Sequence, residues 1–190
     1  EMLDTTNSIT PEIATCLYVG IMTDTGSFRF SSTTSITHRV IADLIDKGAD
    51  NSKIHNNVYD TNSYNKLQLL GCALNNLRVL PEFNTAYITL SEEELNKHQF
   101  RKGDTEGVVN YGLSIDGIKF AVIFIEHKQE GIVKISLRSE GDFDVNTLAR
   151  EHFNGGGHIN AAGGRSPENL TNTITYFKSI LPNYKEELNQ

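Results

Sequence analysis

Residues 118–141 read IKFAVIFIEHKQEGIVKISLRSEG, two runs dense in Val, Ile and Phe on either side of the polar segment HKQEG at 127–131. β-Branched and aromatic side chains suit a pleated surface, and a short polar connection ending in glycine closes two such runs into an antiparallel hairpin. In the second run, alternation sends Ile135 and Leu137 to one face and Ser136 and Arg138 to the other. This is the strongest strand signal in the chain, and the rest of the fold is read around it.

Upstream of the hairpin, AYITL (86–90) reads as a strand and SEEELNKH (91–98) as a helix opened by a capping box of Ser91 with Glu94. TEGVVNYGLSI (105–115) reads as a helix or turn. Downstream, DVNTLAREHF (144–153) reads as a helix capped by Asp144, followed by a glycine loop. The last helix, SPENLTNTITYFKSIL (166–181), has Ser166 as its expected N-cap and Pro167 at its first position. Strands mixed with helices predict an α/β unit over 81–190.

Residues 1–80 have a helical rhythm instead. Thr10 and Pro11 open a helix with Ile13, Leu17 and Ile21 on one face, expected to stop near Gly20, and MTDTGSFRFSSTT (22–34) reads as a strand end entering a loop. A second helix carries Ile36, Val40, Ile41, Leu44 and Ile45, with Gly48 as its C′ residue. NSKIHNNVYD (51–60) is a third. SYNKLQLLGCALNNLRVL (63–80) is a fourth, striped by Leu67, Leu70, Leu74 and Leu77. Pro81 ends that pattern, so PEFNT (81–85) is the expected hinge between two units, 1–80 and 81–190.

Composition narrows the function. With 190 residues, 38% apolar and 22% charged, the chain can bury one good core or two small ones. The net charge of −7 leaves neither half with an excess of Lys and Arg, which excludes a general duplex-DNA binder but permits a small phosphorylated ligand held by a few cations. No apolar run approaches the ~18 residues a membrane span requires. With no leader pattern, the cytoplasm is the expected location. Cys16 and Cys72 lie apart from any metal or disulfide spacing and are expected as buried free thiols. Because the chain starts at Glu1 and enters a helix almost at once, it reads as an excerpt of something longer.

HFNGGGHINAAGG (152–164) holds five of the fifteen glycines around His158. Three consecutive glycines can turn bare amides toward an anion, and the imidazole beside them can clamp a phosphate. From composition alone, a glycine-rich surface turn with a solvated histidine serves equally well. His38, His55, His98, His127 and His152 show no ligand spacing and are read as surface or helix residues.

GGGHINAAGG resembles the GGGHxxAAG signature of the domain that follows the catalytic domain in DHH-family phosphoesterases, a group that includes RecJ-like exonucleases and nanoRNase/pAp-phosphatase enzymes. The likeness extends through EGVVNYGLSI, KISLRSEGDFDVNTLAREHF and GIMTDTGSFRFSSTT, and is greatest to the bacterial nanoRNase/pAp-phosphatase, exopolyphosphatase-related subfamily. It implies an α/β fold in which the helical tail of a DHH catalytic domain precedes a mixed-sheet DHH-associated domain.

The resemblance also implies residue roles. Asp24 in TDTG would be a catalytic residue and metal ligand, one of several that hold two Mn2+ ions in the complete catalytic domain. Arg138 would be a substrate-phosphate arginine, with Ser136, Gly155, Gly156, Gly157, His158 and, more weakly, Asn110 also on the substrate side. The DxD and DHH motifs are absent from residues 1–190, and Asp24 alone cannot hold two metals, so the chain by itself is expected to be inactive. Expected partners are short RNA oligonucleotides or small phosphorylated nucleotides, linear dinucleotides among them, with no membrane, and a homodimer as the one self-association considered. Two other readings stay open: a non-catalytic nucleotide- or RNA-binding module, as in the related domains of alanyl-tRNA synthetases, and an exopolyphosphatase.

Overall fold

The computed structural model of the chain describes residues 8–189. Its two compact units part between Asn62 and Ser63.

The first unit contains α1 (Pro11–Asp24), α2 (Ser35–Asp46) and α3 (Asn51–Tyr59) around Ala14, Tyr18, Met22, Ile41, Leu44, Ala49 and Ile54. The helix expected to end near Gly20 runs on to Asp24, so TDTG is a helix end and not a strand end. In its last turn Thr23 and Thr25 donate their hydroxyls back to Val19 O (2.9 Å) and Ile21 O (2.6 Å). The stop comes at Gly26, whose φ of +55° lets its amide reach Thr23 O (3.2 Å) while Ser27 N–H reaches Met22 O (2.8 Å). Gly48 ends α2 with the same pair of bonds, to Ile45 O and from Ala49 to Leu44 O, as its sequence position predicts. The buried face of α1 is displaced from the expected one: Ala14, Tyr18 and Met22 go inside, while Ile13 and Leu17 remain nearly half exposed. Tyr18 wins because its ring reaches Phe28 and His55, edge to face at about 6 Å.

The second unit is a six-stranded mixed sheet in the order β1-β2-β3-β4-β6-β5. The strands are β1 (Arg78–Leu80), β2 (Thr85–Leu90), β3 (Phe120–His127), β4 (Ile132–Ser139), β5 (Gly156–His158) and β6 (Ala161–Ser166). Only β2 and β3 run parallel; the hairpin of β3 and β4 is antiparallel, as expected. Helices cover both faces: α4 (Tyr64–Asn75), α5 (Glu92–Lys97) and α6 (Asn110–Leu113) on one, and α7 (Val145–His152), α8 (Leu170–Ile180) and α9 (Lys185–Leu188) on the other. Central β3 is therefore apolar from Phe120 to Ile125, with Phe120, Val122 and Phe124 in the α7–α9 core and Ala121, Ile123 and Ile125 in the α4–α6 core.

Several local expectations change here. α4 belongs to the sheet unit, because Leu69 and Ala73 pack beneath Ile88 and Leu90 while Leu67 and Leu74 stay exposed. Pro81 is no hinge: it opens a 3₁₀ turn that joins the paired strands β1 and β2, with Arg78 opposite Tyr87. Ser166 ends β6 and accepts from the Thr173 hydroxyl, and the N-cap of α8 is Asn169, which accepts from Asn172 N–H at 2.8 Å. Cys16 is exposed; Cys72 is half-buried and donates its thiol to Glu94. The capping boxes and caps of α5 and α7 are as read, with Ser91 paired to Glu94 and Asp144 accepting from Asn146 and Thr147.

His152 is also more than a surface residue. Its Nδ1 lies 2.9 Å from the Tyr176 hydroxyl and its Nε2 2.7 Å from that of Tyr184, which donates to Glu151. Burial, assisted by the Glu151 carboxylate, pushes the Tyr184 phenol up to about 12. A raised acid favours the protonated fold, so this contribution is complete below the ordinary tyrosine value near 10 and is lost as pH climbs through about 12. Absorbance titration should show a late phenol ionisation that Tyr184→Phe removes.

Candidate functional site: an open shelf on the sheet

Cross-strand register brings the polar residues of the sheet unit together. Ala121, Arg138, Ala161 and His158 stand opposite one another on β3, β4, β6 and β5, and two residues along the sheet Ile123, Ser136, Gly163 and Gly156 form a second row. The intervening row, Val122, Leu137 and Ala162, points into the α7–α9 core, so pleating directs Arg138 and Ser136 to the opposite face. On that face α6 covers the start of the rows so closely that a Cβ on Gly112 would stand 2.8 Å from the Ala121 methyl. Beyond α6, the β4, β6 and β5 positions carry only Arg138, Ser136 and His158 among alanine and glycine. Small residues between Arg138 and His158 leave a shelf on which a ligand can lie flat.

Arg138 is half-buried, and burial pushes its guanidinium below the ordinary arginine value. Its Nη1 donates to Leu137 O at 2.9 Å, and among the described residues no carboxylate lies within 4.0 Å of it. A partly desolvated cation with no anion of its own is costly to keep and ready to take one. His158 is exposed, two strands away, about 10 Å from Arg138 between backbones. A guanidinium arm and an imidazole can close that gap on one anionic group. Asn110 starts α6, on the same side of the sheet and exposed.

The glycines stand in a different setting from the expected loop. GGGH is no loop: Gly156–His158 is the edge strand β5, paired to β6. Two amides of the GGGH segment are already taken: Gly155 N–H donates to Ala149 O (3.1 Å) and Gly157 N–H to Asn146 Oδ1 (2.9 Å). At Gly155, Gly157 and Gly164 a side chain has no room. A Cβ on Gly155 would lie 2.0 Å from Gly163 O, one on Gly157 2.4 Å from Ala161 O, and one on Gly164 2.7 Å from Phe153 Cβ. The bareness lets β5, β6 and the end of α7 meet backbone to backbone, which carries His158 onto the shelf.

Residues 83–183, more than half of the chain, match the model of the DHHA1 domain. The chain belongs to the DHHA1 family. A Bacillus subtilis protein described as the bifunctional oligoribonuclease and PAP phosphatase NrnA is 32% identical over 150 residues, 79% of this chain and 46% of that protein. Its Thermus thermophilus counterpart is 33% identical over 155 residues, 81% of this chain and 45% of that one. The chain thus spans about half the length of the curated relatives it matches. A crystal structure of an exopolyphosphatase-related protein from Bacteroides fragilis superposes with a TM-score of 0.95 at 40% identity, over 99% of this chain and 55% of that one.

The DHHA1 match lies within the sheet unit and therefore contains the shelf; Asp24 lies outside it. Asp24 is the last residue of α1, exposed, beside a recess of 470 Å³ that it lines with Ile21, Thr25, Ile36, Thr37 and Val40 of the same unit. Among the described residues no three His, Cys, Asp or Glu side chains converge as a metal site, so the donor set does not fit a bound metal pair. Among the described residues no helix is long and apolar enough to cross a membrane. Two DHHA1 residues beside the shelf were not singled out from the sequence, Asn146 and Arg150. Asn146 ties Arg150 to the edge strand through the Gly157 amide, eleven residues on from Asn146, and no local pattern signals that bond.

Proposed function

We propose that this chain is the substrate-holding part of a phosphoesterase that acts on short oligoribonucleotides and on adenosine 3′,5′-bisphosphate (pAp, PAP). The observation that carries the reading is Arg138, a half-buried, acid-free guanidinium set in one register row with His158 on a shelf of small residues. The relatives named as oligoribonuclease and PAP phosphatase share this stretch of chain, which supports the substrate class. A shelf holding few cations suits a short ligand better than a long polyanion. Manganese stays with the family resemblance: Asp24 would give one carboxylate to it, and no chemical step follows from that residue alone.

Calorimetric titration of the chain with PAP, a diribonucleotide, adenosine and polyphosphate tests this. PAP and the dinucleotide are expected to bind and adenosine not to; turnover in manganese is expected to be absent. Failure of both nucleotides to bind would overturn the shelf, and binding of polyphosphate alone would favour the exopolyphosphatase reading. Manganese-dependent turnover by residues 1–190 would overturn the single-ligand view of Asp24.

A further inference from the structure

We propose that Arg150 is a second phosphate-reading cation of the shelf, which makes the site prefer ligands with two phosphoryl groups, such as a nucleoside bisphosphate or a 5′-phosphorylated dinucleotide, over ligands with one. The inference rests on the shelf being a nucleotide-phosphate site. An exposed arginine near a helix end is usually only solvated, but Arg150 is braced. Asn146 Oδ1 accepts from Arg150 Nε at 3.0 Å and, with the same atom, from the Gly157 amide at 2.9 Å. One side-chain oxygen thereby ties the guanidinium to the edge strand. The tie places it where Gly156 would carry a side chain: a Cβ there would meet Arg150 Cζ and Nη2 at 3.4 Å.

With Nε committed, Nη1 and Nη2 have no protein acceptor among the described residues, and no carboxylate lies within 4.0 Å. The neighbouring acid, Asp144, is attracted to Arg150 only across more than 4.0 Å and gives its oxygens to the amides of Asn146 and Thr147 and to the Thr147 hydroxyl. The outward edge of a planar fork, held in one orientation and unspent, is suited to bidentate contact with a phosphate. Gly156 lies two residues from His158 along β5, about 7 Å. That repeat matches neighbouring phosphates of one nucleotide ligand better than two contacts on a single phosphate. Arg138 and His158 take one group and Arg150 the next.

The test is titration with PAP and with AMP, which differ by one phosphate, of the wild type, Arg150→Ala, Arg150→Lys and Arg138→Ala. Arg150→Ala is expected to weaken PAP about tenfold and AMP less than about twofold, with a shallower salt dependence for PAP and an unchanged thermal midpoint. Arg150→Lys should recover part of the loss, since it restores the charge without the fork. Equal weakening of both ligands, or none, would overturn the role of Arg150. If Arg138→Ala then weakens both ligands, the shelf itself stands. A wild type that binds neither ligand overturns both readings.

Discussion

Arg138→Ala is expected to weaken PAP binding about 100-fold while leaving the stability of the fold unchanged or slightly raised. The two halves of that expectation share one cause. The guanidinium is half-buried, is pushed down by burial and makes one protein bond, to its neighbour's carbonyl. Removing it from the free protein therefore relieves a desolvation cost and breaks no ion pair. Removing it from the complex deletes charge-assisted bonds to a phosphate, each worth about 1.5–3 kcal/mol. Arg138→Lys keeps the charge without the planar fork and should recover only part of the affinity. His158→Ala, at an exposed position, should cost less. Calorimetry and thermal unfolding on the same samples decide the matter. A loss of stability equal to the loss of affinity would make Arg138 a structural residue and leave the shelf without its main contact.

The sequence made this arrangement partly legible. Strand alternation alone places Ser136 and Arg138 on the polar face, and the hairpin that bears them is written in local signals: apolar runs, a polar turn and a closing Gly131. Helix caps are equally local, so Ser91, Glu94 and Asp144 were readable. The buried faces of α1 and α4 were less so, because both helices carry apolar residues on more than one face. Which face is buried depends on what it meets: Tyr18 finds Phe28 and His55, and Leu69 finds the underside of β2. Hardest to read was β5. Glycine has no strand preference, and GGGH becomes a strand only because Ala161–Ser166 and α7 lie beside it. The register that sets His158 opposite Ala161, and Ala161 opposite Arg138, exists only in the assembled sheet.

Substituting the glycines one at a time separates packing from anion binding. Gly155→Ala is expected to cost about 3 kcal/mol or more in chemical denaturation and to release β5 from the sheet edge, because its Cβ would stand 2.0 Å from Gly163 O and 2.6 Å from Gly164 Cα. Both obstacles are backbone atoms of a paired strand, and neither can turn aside as a side chain can. Gly156→Ala should be mild by comparison, since its Cβ comes no nearer than 3.4 Å to any atom, an ordinary contact with the end of the Arg150 side chain. A cradle of bare amides predicts the reverse pattern, with stability preserved at all three glycines and affinity lost in proportion to the amides disturbed. The amides of Gly155 and Gly157 already have acceptors, in Ala149 O and Asn146 Oδ1, so steric fit is the stronger constraint. Should Gly155→Ala fold as stably as the wild type yet fail to bind PAP, the close approach of β5 and β6 is not what the glycines are for, and the anion would have to be held by the main chain.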